Sequence, residues 1–542
     1  MASTYGLYNF SNIRYAAPPV GDLRWQKPVA PESNRDQVQN GSVGKVCPGG
    51  LPLWAELTVS WLDSYTHNTT VTVSSNVSSY PYTPPPQDGR TTEDCLFLDV
   101  LVPKKIFDRT KNKTPKFKKL APVMVSIHGG GQISGEKAQL DASGLIKRSM
   151  DEGDGIIFVE LNYRVSIKIP MEYEAPQTNL TLLKLGAFGW LAGDVKSDGI
   201  ANAGLYDQRF ALKWVSDNIH LFGGDRAQVT VIGESAGGSS IIHQITAYGG
   251  AKGPAPFQRA ILQSAGWVPV ITEKQQDDTL NQFLSLLGVT TIQDARKLSA
   301  DKLIAANAYQ VYYSFWGQFT YGPVVDHSFV PTFPWRLLLE NKFDHDVKIM
   351  IGYNSHEGLL FTSPDSRNSS AFEDFVLAAS PSIPVEIAEY IANFVYPPIY
   401  DGSYGYTEPV QRVALFVQEW ALVCNDDYLR RAYHDKTYAY MFSIPPGLHG
   451  QDVPYTFYEQ GSTLTSILFG IPVSNVTVAL AMQDWFTSFA QQGEPESDLA
   501  PEFPQHGPHA RLMDIQQNNF KIIHDPTDNS RCRFWQTVPY TE

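Results

Sequence analysis

Val229-Thr230-Val231-Ile232-Gly233-Glu234-Ser235-Ala236-Gly237-Gly238-Ser239-Ser240-Ile241-Ile242-His243-Gln244-Ile245 is the stretch on which the reading of this chain turns. Its first four residues are an apolar run that reads as a strand, and its last eight read as a helix. Between them stands Gly-Glu-Ser-Ala-Gly. Strand, Gly-x-Ser-x-Gly, helix is the context a nucleophile elbow requires. In so tight a turn the serine takes a strained backbone conformation. Side chains at the flanking positions would collide with the neighbouring strand and helix, so glycine stands at both. The Ser235 oxygen is thereby lifted clear of the sheet at a helix N-terminus, where the dipole and free amides favour a developing negative charge.

A second glycine cluster supplies a partner for that charge. Pro122-Val123-Met124-Val125-Ser126-Ile127 reads as a buried strand that ends in His128-Gly129-Gly130-Gly131. Consecutive glycines let bare backbone amides approach a ligand. In serine hydrolases such a loop donates amides to an oxyanion hole, joined by the amide of the residue after the nucleophile, here Ala236. A phosphate cradle is disfavoured, because no Gly-Lys-Ser/Thr follows.

An acid and a base should lie further along, in the chain order Ser, Asp or Glu, His, each after a parallel strand. The segment Asp344 to Tyr353 contains a strand candidate and is followed by Asn354-Ser355-His356-Glu357-Gly358. Lys436 to Ile444 is another, followed by Pro445-Pro446-Gly447-Leu448-His449-Gly450. The chemistry asks Glu357 to hold His449 in the right tautomer while His449 takes the proton of Ser235. Two other histidines compete. His356 adjoins Glu357, and adjacent residues rarely face one point. His506, in Pro504-Gln505-His506-Gly507-Pro508, reads as part of a surface loop with no strand before it.

Taken together these residues resemble the type-B carboxylesterase/lipase family. Ile13-Arg14-Tyr15-Ala16-Ala17-Pro18-Pro19-Val20-Gly21-Asp22-Leu23-Arg24-Trp25 is similar to the family's N-terminal signature, and Glu93-Asp94-Cys95-Leu96 to its Glu-Asp-Cys-Leu motif. Asn202 to Gln208, Phe222-Gly223-Gly224-Asp225, Ala260-Ile261-Leu262-Gln263-Ser264 and Pro323-Val324-Val325-Asp326 match as well. The resemblance implies an α/β-hydrolase fold, with a central, mostly parallel, twisted sheet, helices on both faces and large excursions over the active site. It implies Ser235, Glu357 and His449 as the triad and Gly130, Gly131 and Ala236 as oxyanion amides. Glu234 and Ser264 fall where the family keeps a polar pair beside the triad. It also implies the disulfides Cys47–Cys95 and Cys424–Cys532. Gln132 departs from the pattern: relatives often carry Phe or Tyr there, so the local pocket should differ in shape.

Composition fits a secreted enzyme. A chain of 542 residues, 43% hydrophobic and 18% charged, can bury a large core, and no linker or repeat divides it, so a single catalytic domain over 1–542 is expected. A net charge of −14 argues against nucleic acid and anionic membrane surfaces as partners. No apolar run approaches a membrane span. No Cys-x-x-Cys or histidine cluster suggests a metal, and the triad chemistry calls for no cofactor. Eight Asn-x-Ser/Thr sequons, at Asn9, Asn40, Asn68, Asn76, Asn112, Asn179, Asn368 and Asn475, point to the secretory pathway. Met1-Ala2-Ser3-Thr4 opens without the apolar region of a secretory leader, which is expected to be missing from this chain.

Within the segment 47–95, Leu53, Trp54, Leu57 and Trp61 share one face at helical spacing. Two roles are open to it: an amphipathic lid or wall at the substrate entrance, or a helix packed permanently on the core. Trp267, Trp316 and Phe319 are candidates to line an acyl or alcohol site, or to be ordinary core. The leading function is a serine carboxylic-ester hydrolase working through an acyl-enzyme on a small-molecule or lipid ester. A lactonising or acyl-transferring enzyme of secondary metabolism would use the same triad. A non-catalytic, neuroligin-like binding protein would be expected to have lost part of it.

Overall fold

The computed structural model describes residues 6–33, 41, 44–70, 73–84, 88–111, 120–151, 153–164, 186–266, 272–461 and 470–537. Its central segments are apolar at nearly every position, which demands strands covered on both faces. Among the described residues ten strands form one sheet: β1 (Leu7–Arg14), β2 (Phe97–Pro103), β3 (Ala121–Ile127), β4 (Ile157–Leu161), β5 (Gly224–Glu234), β6 (Arg259–Gln263), β7 (Lys348–Asn354), β8 (Tyr438–Phe442), β9 (Arg511–Gln516) and β10 (Asn519–His524). Their spatial order is β1-β2-β4-β3-β5-β6-β7-β8-β9-β10. Every neighbouring pair from β4 to β9 is parallel. β1, β2 and β10 attach antiparallel at the two edges.

The helices that bear on the site are α1 (Leu53–Thr66), α2 (Ser143–Asp151), α3 (Ala203–Asn218), α4 (Ala236–Ile245), α5 (Pro409–Gln418), α6 (Cys424–Ala432), α7 (Val476–Gln492) and α8 (Ser530–Thr537). The two-residue period of the strands divides their side chains between two apolar clusters. Val231, Leu262, Ile351 and Ala439 join Leu212 of α3 and Ile241 of α4. Ile232, Ile261, Met350 and Tyr440 join Leu145 of α2 and Trp485 of α7. Burying each large aliphatic side chain contributes about 1.5–3 kcal/mol, so the sheet is held from both faces. This is the α/β-hydrolase layering.

Because the central strands are parallel, the carboxyl ends of β3, β5, β6, β7 and β8 share one edge, and the loops that follow them converge there.

Two disulfides are present, Cys47–Cys95 and Cys424–Cys532, with sequence separations of 48 and 108. In the chain-entropy model loops of these sizes contribute about 4 and about 5 kcal/mol. The second ties α6 to α8. The first bounds the segment that carries α1, which buries Leu53, Trp54, Ala55, Thr58, Trp61 and Leu62 and leaves Leu57 half-buried. Trp54 Nε1 donates to the Gln318 carbonyl (2.8 Å), Thr58 Oγ1 to Leu360 (2.9 Å) and Trp61 Nε1 to Thr362 (2.7 Å).

Asn9, Asn68, Asn76 and Asn368 are exposed and Asn475 is half-buried, while Asn40, Asn112 and Asn179 lie outside the described residues. Among the described residues no helix is long and apolar enough to cross a membrane.

Candidate active site

Ser235 occupies the turn between β5 and α4 with φ +55° and ψ −121°, a conformation that costs about 1–3 kcal/mol. A Cβ on Gly233 would lie 2.6 Å from the Gly237 carbonyl carbon, and one on Gly237 would strike the carbonyl oxygen of Ile127. Strand, helix and the neighbouring β3 therefore meet with no room for a methyl group. Ser235 N–H donates to Gln263 O (2.9 Å) and Ser239 N–H to Ser235 O (3.0 Å), which over-determines the turn.

The loop after β8 brings His449 to the same edge. Its Nε2 lies 2.9 Å from Ser235 Oγ and 3.2 Å from Glu234 Oε1. Its Nδ1 is hydrogen-bonded to Glu357 Oε2. Glu357 follows β7, is fully buried, and uses Oε1 to accept from Ser264 Oγ (2.5 Å), Asn354 N–H (2.5 Å) and Asn354 Nδ2 (3.3 Å). Glu234 and Ser264 thus sit at opposite ends of one hydrogen-bonded chain: Glu234 on the outer nitrogen of His449, Ser264 beneath Glu357.

Electrostatics follow from this placement. Burial disfavours the imidazolium of His449, yet the adjacent Glu357 and Glu234 outweigh it and push the group up to about 9. Burial raises the Glu234 carboxyl to about 7; His449 pulls it down, while Asp452 and Glu357 add to the rise. Burial lowers His128 to about 4, so the histidine that opens the glycine loop is neutral near pH 7.

The glycine loop lies against Ser235, since a Cβ on Gly129 would sit 3.3 Å from Ser235 Cβ. Among the described residues the backbone N–H groups of Gly130, Gly131 and Ala236 donate to no protein acceptor. Backbone amides left without a partner are available as donors to a developing oxyanion. The side chain of Gln132 is buried and turned toward α4.

Aromatic rings border the site. Trp54 of α1 packs on Phe319 (5.6 Å between centroids) and on Phe361 (5.9 Å), and Phe361 stands against the His449 ring (5.2 Å). Phe319 also lies directly on Gly131. Beyond this box is a groove of about 1130 Å³ lined by Trp316, Gln318, Phe319, Ser363, Asp374 and Phe375 among others. Trp316 is buried in its wall; Trp267 lies outside the described residues.

One reading is corrected. His506 is not on a surface loop: it is fully buried, with Nε2 2.8 Å from Asp525 Oδ2 and Nδ1 3.0 Å from Thr437 Oγ1. Its burial comes from packing of the 505–511 segment beside β8, where Gln505 bridges Tyr438. It has no contact with Ser235. His356 is exposed and bonded to Ser355 Oγ (3.0 Å).

The sequence reading missed a buried polar layer beneath Glu357. Asp452 accepts from Tyr440 Oη (2.6 Å), Gln263 Nε2 (2.9 Å) and Asn354 Nδ2 (3.1 Å). Asn354 and Asp452 lie three residues from Glu357 and His449 (357 − 354 and 452 − 449), a spacing that could have flagged them.

Sheet order, helices on both faces and an elbow at the carboxyl edge define the α/β-hydrolase class. The chain belongs to the carboxylesterase family, whose model matches residues 1–167 and 183–535. It is 34% identical to carboxylesterase patB of Penicillium expansum over 99% of this chain and 93% of that protein. It is 28% identical to a secreted lipase of Arthroderma benhamiae over 83% of this chain and 84% of the relative. In three dimensions it superposes on the crystal structure of Aspergillus niger EstA with a TM-score of 0.76, at 23% identity, covering 99% of this chain and 95% of that one, a likeness of fold. The protein is a carboxylic-ester hydrolase acting on small-molecule esters.

Proposed function

We propose that the hydrolysis runs through an acyl-enzyme on Ser235. His449 Nε2 takes the Ser235 proton as Oγ attacks the ester carbonyl, and Glu357 holds the imidazole through Nδ1. The oxyanion forms against the amides of Gly130, Gly131 and Ala236. His449 then protonates the departing alcohol, the C–O bond breaks, and the same nitrogen activates water to release the acid. The reading is carried by one observation: a continuous hydrogen-bonded run Ser235–His449–Glu357 beside three unengaged amides.

Residues 1–542 act as one catalytic domain in this reading, with α1 as a fixed wall of the entrance. Its three bonds to the 318–362 segment and its buried face support a wall rather than a lid. The two disulfides, the exposed sequons and the secreted relative support maturation in the secretory pathway.

Hydrolysis of p-nitrophenyl esters of increasing acyl length, with Ser235→Ala as the blank, tests the mechanism. The variant should lose about 10⁶ in kcat if the triad acts as a unit. Residual turnover within tenfold of the parent enzyme refutes the assignment. A competing alcohol in the same assay distinguishes hydrolysis from acyl transfer by the product formed.

A further inference from the structure

The donors of the oxyanion hole come from two separate parts of the chain. Gly130 and Gly131 lie on the loop after β3; Ala236 opens α4 after β5. Catalysis requires them to converge on one oxygen, within about 2.7–3.1 Å of where its charge develops. Something must therefore set the spacing between loop and helix.

Gln132 is placed to do so. It directly follows Gly131, is 2% exposed, and has φ +55°, a left-handed conformation that an ordinary side chain keeps only when held. Its Nε2 donates to Ser239 Oγ at 2.8 Å and lies 3.4 Å from the carbonyl oxygen of Ala236. Ser239 Oγ in turn donates to that same Ala236 carbonyl at 3.0 Å. The amide thus spans from the residue after one pair of donors to the carbonyl of the residue whose own N–H is the other donor. Among the described residues it makes the only side-chain hydrogen bonds between the glycine loop and α4. A phenyl ring at this position has no donor for them, and a phenol offers a single O–H where the amide offers two N–H.

We infer that Gln132 is a positioning residue for the oxyanion hole, acting through Ser239 and the Ala236 carbonyl to fix the spacing of the Gly130, Gly131 and Ala236 amides. The inference rests on the mechanism proposed above and adds what holds its donors in register. Because those donors act on charge that exists only in the transition state, loosening them lowers kcat and leaves substrate binding intact. A merely structural glutamine would instead affect stability, or kcat and KM alike.

The test compares Gln132→Met, which keeps volume but removes the donor, with Ser239→Ala, which removes its partner from α4. Each is measured for kcat and KM on a short-chain p-nitrophenyl ester, for inhibition by a trifluoromethyl ketone whose adduct carries the oxyanion, and for Tm. Both single variants should lose roughly 10–100-fold in kcat, given that a misplacement of about 1 Å costs about 10²-fold. KM should stay within about twofold, and the ketone should weaken by the same factor as kcat. The double variant should lose no more than the larger single loss, because both substitutions break one link. If Gln132→Met does not fold, Ser239→Ala carries the same readouts. A folded variant with kcat and ketone affinity within twofold of the parent overturns the inference, as does a parallel loss in kcat, KM and Tm. Ser235→Ala is run alongside. Full activity there sinks the acyl-enzyme reading itself, whereas an inert Ser235→Ala with unaffected Gln132→Met and Ser239→Ala sinks only the role of Gln132.

Discussion

His449 serves two carboxylates with one ring. Glu357 holds Nδ1 from below, and Glu234 stands 3.2 Å from the same Nε2 that faces Ser235. Both negative charges stabilise the imidazolium, which is why the group is pushed up to about 9. As the proposed base, His449 works only when neutral, so kcat/KM should rise with pH along an acidic limb lying well above the range of a free histidine. Glu234→Gln removes one of those charges and lowers the imidazole's affinity for a proton. The limb should then move toward lower pH, with a folded protein and an intact Ser235–His449 bond. A pH–rate profile of the variant that overlays the parent would show that Glu234 does not tune the base. The limb belongs to the coupled pair of His449 and Glu234, whose facing atoms lie 3.2 Å apart. The residues that meet here were legible in the sequence for different reasons. Ser235 and its flanking glycines were marked by local sterics. Glu357 and His449 were suggested by a strand before each and the order of the chain, and chosen over His356 and His506 by the family resemblance. Asp452 offers only its three-residue spacing from His449, and Gln263 and Tyr440 carry no local signal of this layer, because what brings them together is burial beside strands far apart in sequence. His506 failed for the same reason: glycine and prolines around it suggest a loop, and its place inside comes from packing beside β8, with Thr437 and Asp525 as partners, which no local pattern shows.

At the scale of elements, the parallel strands and α4 were readable from apolar runs and turn chemistry, because each is dictated within a dozen residues. The attitude of α1 was not. Its face of Leu53, Trp54, Leu57 and Trp61 suits a lid and a fixed wall equally, and the difference lies in bonds to carbonyls some 260–300 residues away. Those bonds should hold whether or not a lipid interface is present. The fluorescence attributable to Trp54 and Trp61, isolated by comparison with Trp54→Phe and Trp61→Phe, should resist acrylamide equally in buffer and with phospholipid vesicles. Increased quenching on adding vesicles would make α1 a moving lid. The contact of Trp54 with both Phe319 and Phe361 gives the helix a second readout. Trp54→Ala removes the shared wall of the rings lying on Gly131 and His449, so it should change relative rates across an acyl-length series more than it changes stability.

For the whole molecule, the disulfide between Cys424 and Cys532 does work that the sheet cannot. It fastens the C-terminal helix α8 to α6, and both helices contribute side chains to the apolar cluster on one face of the sheet. Replacing both cysteines with serine should cost about 2–5 kcal/mol, visible as a lower urea midpoint under non-reducing conditions, with the slope of the transition showing whether the denatured chain has expanded. An unchanged midpoint would place the stability elsewhere. The order of strands has a consequence of another kind, in time. Synthesis delivers Ser235 first and His449 only 214 residues later. At roughly 5–20 residues per second that gap amounts to about 10–40 s on the ribosome. In the proposed mechanism the elbow has no base throughout that interval, and a chain abandoned partway by the translation machinery should be inert. On that reading, the sequence in which the parts arrive by itself shields the cell that makes this hydrolase from its unfinished copies.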